Sequence, residues 1–79
     1  MFGTKTISVS VAAYGLAARQ VSAGTYQIKA GSTVKAVLKK AGLRDAAGMM
    51  LMIEGDRVQP SHTLEDGEEL KVFHLAAGG

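Results

Sequence analysis

Cysteine is absent from this 79-residue chain, and proline occurs once. Without cysteine no disulfide can staple the fold, so apolar packing has to hold a domain near the small end of what folds unaided. The same absence excludes a cysteine-based zinc site, a CxxC redox centre and a cysteine nucleophile. It accords with a reducing compartment, and a cytoplasmic location is expected.

Long hydrophobic runs are lacking too. The longest nearly unbroken one, residues 46–53, is far short of the ~20 residues that cross a bilayer, so no membrane partner is expected. Lys5 followed by "TISVSVAAYGLAA" faintly resembles a signal peptide. However, Ser8 and Ser10 alternate with Ile7, Val9 and Val11, which is strand patterning. Charge of one sign is also scarce: nine basic residues against seven acidic ones leave a formal net charge of +2. A nucleic-acid binder of this size would show a clustered basic stripe, and no nucleic-acid partner is expected. Lys35, Lys39, Lys40 and Arg44 do fall close together on or after a helix. They read as a solvated helix face or as a docking patch for an acidic partner.

What is present is apolar residue at 47%, enough for one globular domain and too much for disorder. The stretch "TISVSVA" is a half-buried strand, with Ile7, Val9 and Val11 pointing inward. "AYGLAARQVSAG" reads as a loop with at most a helical turn, and "TYQIKAG" as a second strand forming a hairpin with the first. "GSTVKAVLKKAGL" is the clearest element. Ser32 or Thr33 can cap it, and Val34, Val37, Leu38 and Ala41 form one apolar stripe. Lys39 and Lys40 suit the negative end of the helix dipole, and Gly42 supplies a left-handed stop with Leu43 folding back. "MMLMIEGDRVQP" predicts a third strand, a tight turn at Gly55–Asp56 and a short fourth strand ending at Pro60. Leu64 reads as a loop anchor, Asp66–Gly67 as a turn, and "EELKVFHL" as the last strand, with Leu70 and Val72 inward. The expected fold is α+β: a mixed sheet of four to five strands with one main helix packed across it. The first and last strands can then pair in parallel, because the intervening helix and strands supply a long enough crossover. That arrangement is a β-grasp.

With that order in hand, "GSTVKAVLKKAGL", "IEGDRV", "LEDGEELKVF" and a closing "AAGG" together resemble the prokaryotic sulfur-carrier proteins, the ThiS/MoaD family, which share ubiquitin's fold and its Gly-Gly end. The resemblance implies residues 1–75 as a β-grasp domain and 76–79 as a flexible tail. It implies a protein that is a substrate rather than an enzyme. An E1-like adenylyltransferase using ATP would activate the carboxylate of Gly79; a persulfide or sulfide would displace AMP and leave a thiocarboxylate. A sulfur-accepting synthase, either thiazole synthase or the large subunit of molybdopterin synthase, would then take the sulfur. A cysteine desulfurase or another sulfur source would feed the cycle indirectly. No cofactor would be bound by the carrier itself. Gly78, Ala77 and Ala76 would let the tail thread a narrow channel, since glycine lacks Cβ and alanine is slim. The ending "VFHLAAGG" resembles the thiamine-type carriers, and the long "YGLAARQVSAG" connection resembles the molybdopterin or tungstopterin type.

A carrier must also dock. If Leu70 and Val72 face the helix, alternation puts Phe73 and Leu75 on the open face of the sheet, with Met50, Met52 and Ala12. Such a cluster is a candidate partner-docking surface. His62 and His74 are lone histidines without a second ligand at a metal spacing, and Asp56, Asp66, Glu68 and Glu69 suit turn chemistry. No nucleophile–base pair, paired catalytic carboxylates or phosphate loop is evident. Two other functions fit the same fold: a ubiquitin-like modifier joined to lysines through Gly79, and a passive β-grasp binding module.

Overall fold

The structure is a computed structural model that describes residues 5–75. Its elements are β1 (Thr6–Tyr14), a short 3-10 helix (Gly15–Arg19), β2 (Gly24–Lys29), α1 (Val34–Lys40), β3 (Met49–Ile53), β4 (Asp56–Arg57) and β5 (Glu69–His74). The five strands form one sheet in the order β2-β1-β5-β3-β4. β1 and β5 are parallel at its centre, and every other neighbouring pair is antiparallel. This mixed five-stranded sheet with a single α-helix is the expected β-grasp.

One hydrophobic core holds it. Alternate strand residues point to the helix side: Ile7, Val9 and Val11 from β1, Leu51 and Ile53 from β3, Leu70 and Val72 from β5. Val34, Val37, Leu38 and Ala41 of the helix stripe complete the same cluster. Each fully buried Val or Leu contributes about 1.5–3 kcal/mol by leaving water. Leu64, as expected, is a loop residue sunk in the core, at 2% exposure.

Both helix ends are closed by specific bonds. The first N–H groups of a helix have no partner inside it. Here Val34 N–H donates to the His62 carbonyl and Lys35 N–H to the Pro60 carbonyl, both at 2.9 Å. Ala36 N–H donates to Thr33 Oγ1 at 3.4 Å, so Thr33 rather than Ser32 is the cap. The loop after β4 is thereby fastened to the start of α1, and Leu64 N–H donates to the Ser32 carbonyl at 2.8 Å. At the other end Gly42 has φ of +100°, a conformation that favours glycine. Gly42 N–H reaches the Lys39 carbonyl and Leu43 N–H the Leu38 carbonyl, at 3.1 and 2.9 Å. This double closure is the Schellman arrangement, with Leu43 buried as its hydrophobic contact.

Three expectations need correction. The fourth strand does not reach Pro60; β4 is Asp56–Arg57, and the Pro60 carbonyl is turned to Lys35 N–H at the start of α1. β1 does not stop near Ala12; it continues to Tyr14, because β5 runs beside it through Phe73 and supplies a partner for the extra residues. The turn between β3 and β4 is one residue earlier than expected. Ile53 pairs with Asp56, leaving Glu54 and Gly55 as the two-residue loop. Both have positive φ, +51° and +83°, the signature of the hairpin turn whose twist matches the strands.

The first connection is more ordered than a loop. Its 3-10 helix buries Ala17 completely, and Val21 follows at 4% exposure. Ser22 N–H donates to the Ala41 carbonyl at 2.9 Å, tying this segment to the end of α1.

Candidate functional site

Residues directly opposite one another in a sheet project to the same side. On the face away from α1 the register therefore builds two rows. The first joins Tyr14 of β1, Phe73 of β5 and Met50 of β3. The second joins Ala12, Lys71, Met52 and Arg57 across β1, β5, β3 and β4. Leu75 extends the first row along the line of β5, held by its N–H bond to the Gly48 carbonyl at 2.8 Å. Phe73, Leu75, Met50 and Met52 thus share the open face, as their alternation with Leu70, Val72, Leu51 and Ile53 requires.

The exposure of this face is uneven. Tyr14, Leu16 and Leu75 are the large apolar side chains left exposed among the described residues, at 44%, 57% and 40%. Phe73, Met50 and Met52 are half-buried. The Tyr14 and Phe73 rings stack, with centroids 4.9 Å apart and planes inclined by 15°. The result is an apolar strip at the end of β5, the point from which residues 76–79 continue. In the second row two cations, Lys71 and Arg57, flank Met52. Adaptable methionine and rigid aromatic rings beside fixed positive charge suit the surface to a protein partner.

The acidic residues of the turns hold the fold. Asp66 Oδ1 accepts from Ser8 N–H at 2.8 Å across 58 residues of sequence, and Gly67 N–H returns to the Ser8 carbonyl at 2.8 Å. Glu68 Oε1 accepts from Glu65 N–H at 2.7 Å. His62 serves the helix start through its carbonyl, and its Nε2 stands 3.9 Å from Glu68 Oε2. His74 lies on β5 opposite Met49, far along the chain from His62. Among the described residues no group of three or more His, Cys, Asp or Glu is placed to hold a metal ion. No helix among them is long and apolar enough to cross a membrane. Gly79, Gly78, Ala77 and Ala76 lie outside the described residues.

The family model named ThiS family matches residues 18–79. That span is most of the sheet, the whole helix and the Gly78–Gly79 end. The chain belongs to the ThiS family. No match was found among curated proteins. Proteins of the ThiS family are small sulfur carriers, and they work with an E1-like activating enzyme and a sulfur-accepting synthase.

Within this ThiS-family member, sequence reasoning missed Tyr14 as part of the apolar strip. The signal was there: carrying the alternation of β1 through Ala12 and Ala13 puts Tyr14 on the same side as Ser8 and Ser10. Two small alanines hid the period. It also missed the Lys71–Arg57 pairing of charge around Met52, which depends on register across three strands and has no local sequence signature.

Proposed function

We propose that this chain carries sulfur as a thiocarboxylate on Gly79. The carboxylate oxygen of Gly79 attacks the α-phosphorus of ATP in the active site of the activating enzyme, and pyrophosphate leaves. The acyl adenylate is a far better acyl donor than the carboxylate, and splitting the transfer in two lowers each barrier. A sulfide sulfur then attacks the acyl carbon, the C–O bond to AMP breaks, and the thiocarboxylate remains. Gly78, Ala77 and Ala76 form the slender lead to this group, and the β-grasp of residues 1–75 is the handle the enzymes grip. The acceptor is a thiazole-forming enzyme of thiamine synthesis or the large subunit of a molybdopterin or tungstopterin synthase.

The observation that carries this reading is the family match running through Gly78 and Gly79. The apolar strip of Tyr14, Phe73, Met50 and Leu75 supports it, because it would let a partner hold the domain beside the emerging tail. Met52 and the cations Lys71 and Arg57 extend that docking surface.

Intact mass spectrometry of the protein from its native, sulfur-replete host tests the reading. A fraction heavier by the sulfur–oxygen difference, localised to Gly79, is expected. Deleting Gly79, or adding one residue after it, should abolish activation by the cognate enzyme with ATP. The melting temperature should hardly change, since among the described residues the buried core lies between Ile7 and Val72. An unaffected adenylation rate would refute the role of Gly79. Lysine-linked conjugates without thiocarboxylate would favour a protein modifier instead.

A further inference from the structure

Among the described residues, the outward hydrogen-bonding groups of the β2 edge are unoccupied except at the Lys29 carbonyl, and their direction follows from bonds made one strand away. Ser8 N–H and C=O both turn toward the β5 side, to Asp66 Oδ1 and Gly67 N–H. Ser10 N–H likewise turns to the Glu68 carbonyl at 3.0 Å. In an antiparallel ladder, opposed residues alternate between exchanging both backbone bonds and exchanging none. Ser8 opposes Gln27 and Ser10 opposes Thr25, so these are the pairs that exchange none. At the alternate parity, Ala30 N–H does donate back to the Lys5 carbonyl, at 2.8 Å. The backbone N–H and C=O of Thr25 and Gln27 therefore point outward from the sheet. Lys29 N–H does the same, while its carbonyl accepts from Ser32 N–H at 3.1 Å.

Among the described residues β1 is the only strand neighbour of β2, and Thr25, Gln27 and Lys29 are exposed. Natural sheets usually shorten or cover such edges. The opposite edge obeys this, since β4 is two residues long, whereas β2 has six. Beside the β2 edge a groove of about 430 Å³ runs between the strand and α1. Ile28 and Ala36 contribute its apolar wall. Its charged lining residues are Lys29 and Lys40, and no acidic side chain lines it.

We propose that the β2 edge is a strand-addition site for an extended acidic segment of a partner protein. The segment's backbone pairs with Thr25, Gln27 and Lys29, its apolar side chains on the helix side enter the groove against Ile28 and Ala36, and its carboxylates, on the other face, meet Lys29, while Lys40 borders the groove. Main-chain pairing supplies affinity in this mode, and the alternate side-chain pockets supply choice. A second copy of the chain is a poor occupant, because its β2, GTYQIK, would bring another lysine and no carboxylate to the edge. The pairing of β2 with β1 ends at Val11–Gly24, short of Tyr14, so the edge and the apolar strip are separate surfaces. The proposal does not depend on the chemistry at Gly79.

The test uses the full chain, labelled with ¹⁵N, and two synthetic hexapeptides of alternating Asp-Val and alternating Lys-Val. The Asp-Val peptide should shift the Thr25, Gln27 and Lys29 amides, slow their exchange with solvent, and bind more weakly as salt rises. The Lys-Val peptide should leave them unmoved. The variant Lys29→Glu, which alters one exposed side chain, should bind the Asp-Val peptide about fivefold more weakly. Gln27→Pro removes one outward N–H and no ladder bond, together with the Gln27 Nε2 bond to Ser8 Oγ at 2.7 Å, and should weaken binding about three- to tenfold. Shifts centred on Tyr14 and Phe73, equal binding of both peptides, or no shift at all would overturn the proposal. Concentration-dependent shifts of the same amides without peptide would overturn it in favour of a second copy.

Discussion

Tyr14 and Phe73 stack across the parallel pair β1–β5, ring centroids 4.9 Å apart, at the last register position the two strands share. Neither ring belongs to the core. A pair held outside the core contributes little to folding, about 0.5–1.5 kcal/mol beyond its burial, and can therefore be altered without unfolding the domain. On the docking reading, Phe73→Ser should raise the KM of the activating enzyme for the carrier about tenfold or more, with kcat unchanged. Steady-state adenylation kinetics measure the split. A fall in kcat at constant KM would instead point to misplacement of the tail.

Leu38 sits at 1% exposure in the middle of the helix stripe. Leu38→Ala should cost about 2–5 kcal/mol, a large share of the stability available to a domain this small. Urea denaturation followed by circular dichroism would read it as a lower midpoint at unchanged slope. A cost below 1 kcal/mol would mean that the core closes around the loss.

The helix and its stripe were legible in the sequence because they are local: a cap, a period of 3.6 and a glycine stop all lie within thirteen residues. The inward faces of β1, β3 and β5 were legible for the same reason, since Ile7-Val9-Val11 and Leu70-Val72 alternate cleanly. Non-local features were not. The extension of β1 to Tyr14 exists because β5 arrives beside it, and nothing in Ala12-Ala13 announces this. Ala17 and Val21 are buried by elements far along the chain, so their segment read as a loop. The tail residues of the candidate site were named from resemblance, and the docking face from alternation.

Asp66 fastens two distant parts of the chain by accepting from Ser8 N–H at 2.8 Å. Asp66→Ala should leave that amide without its side-chain acceptor and cost about 1–3 kcal/mol. Asp66→Asn retains an oxygen in the same place and should cost less. Thermal denaturation of the two variants, with amide exchange at Ser8, distinguishes the loss of this bond from a general loosening of the turn.

Glu54 is the one described residue other than glycine with positive φ, at +51°. Its neighbour Gly55, at +83°, completes the turn. An L-residue with Cβ is strained in this region by about 1–2 kcal/mol, and asparagine tolerates it better. Glu54→Asn should therefore stabilise the domain by up to about 1 kcal/mol, whereas Gly55→Ala should destabilise it. Melting temperatures should move in opposite directions for the two variants. A shift of the same sign in both would show that backbone strain is not what limits this hairpin.

Among the described strands β5 is made last and yet lies in the middle of the sheet, between β1 and β3. On the ribosome, a nascent chain that has emerged only as far as β4 has two halves of a sheet with a gap between them. Closure waits for residues 69–74, so the slow, long-range step of assembly is also the final one. A prematurely terminated product would remain open to proteolysis, and only polypeptides translated through β5 could offer a folded domain to the enzymes of sulfur transfer.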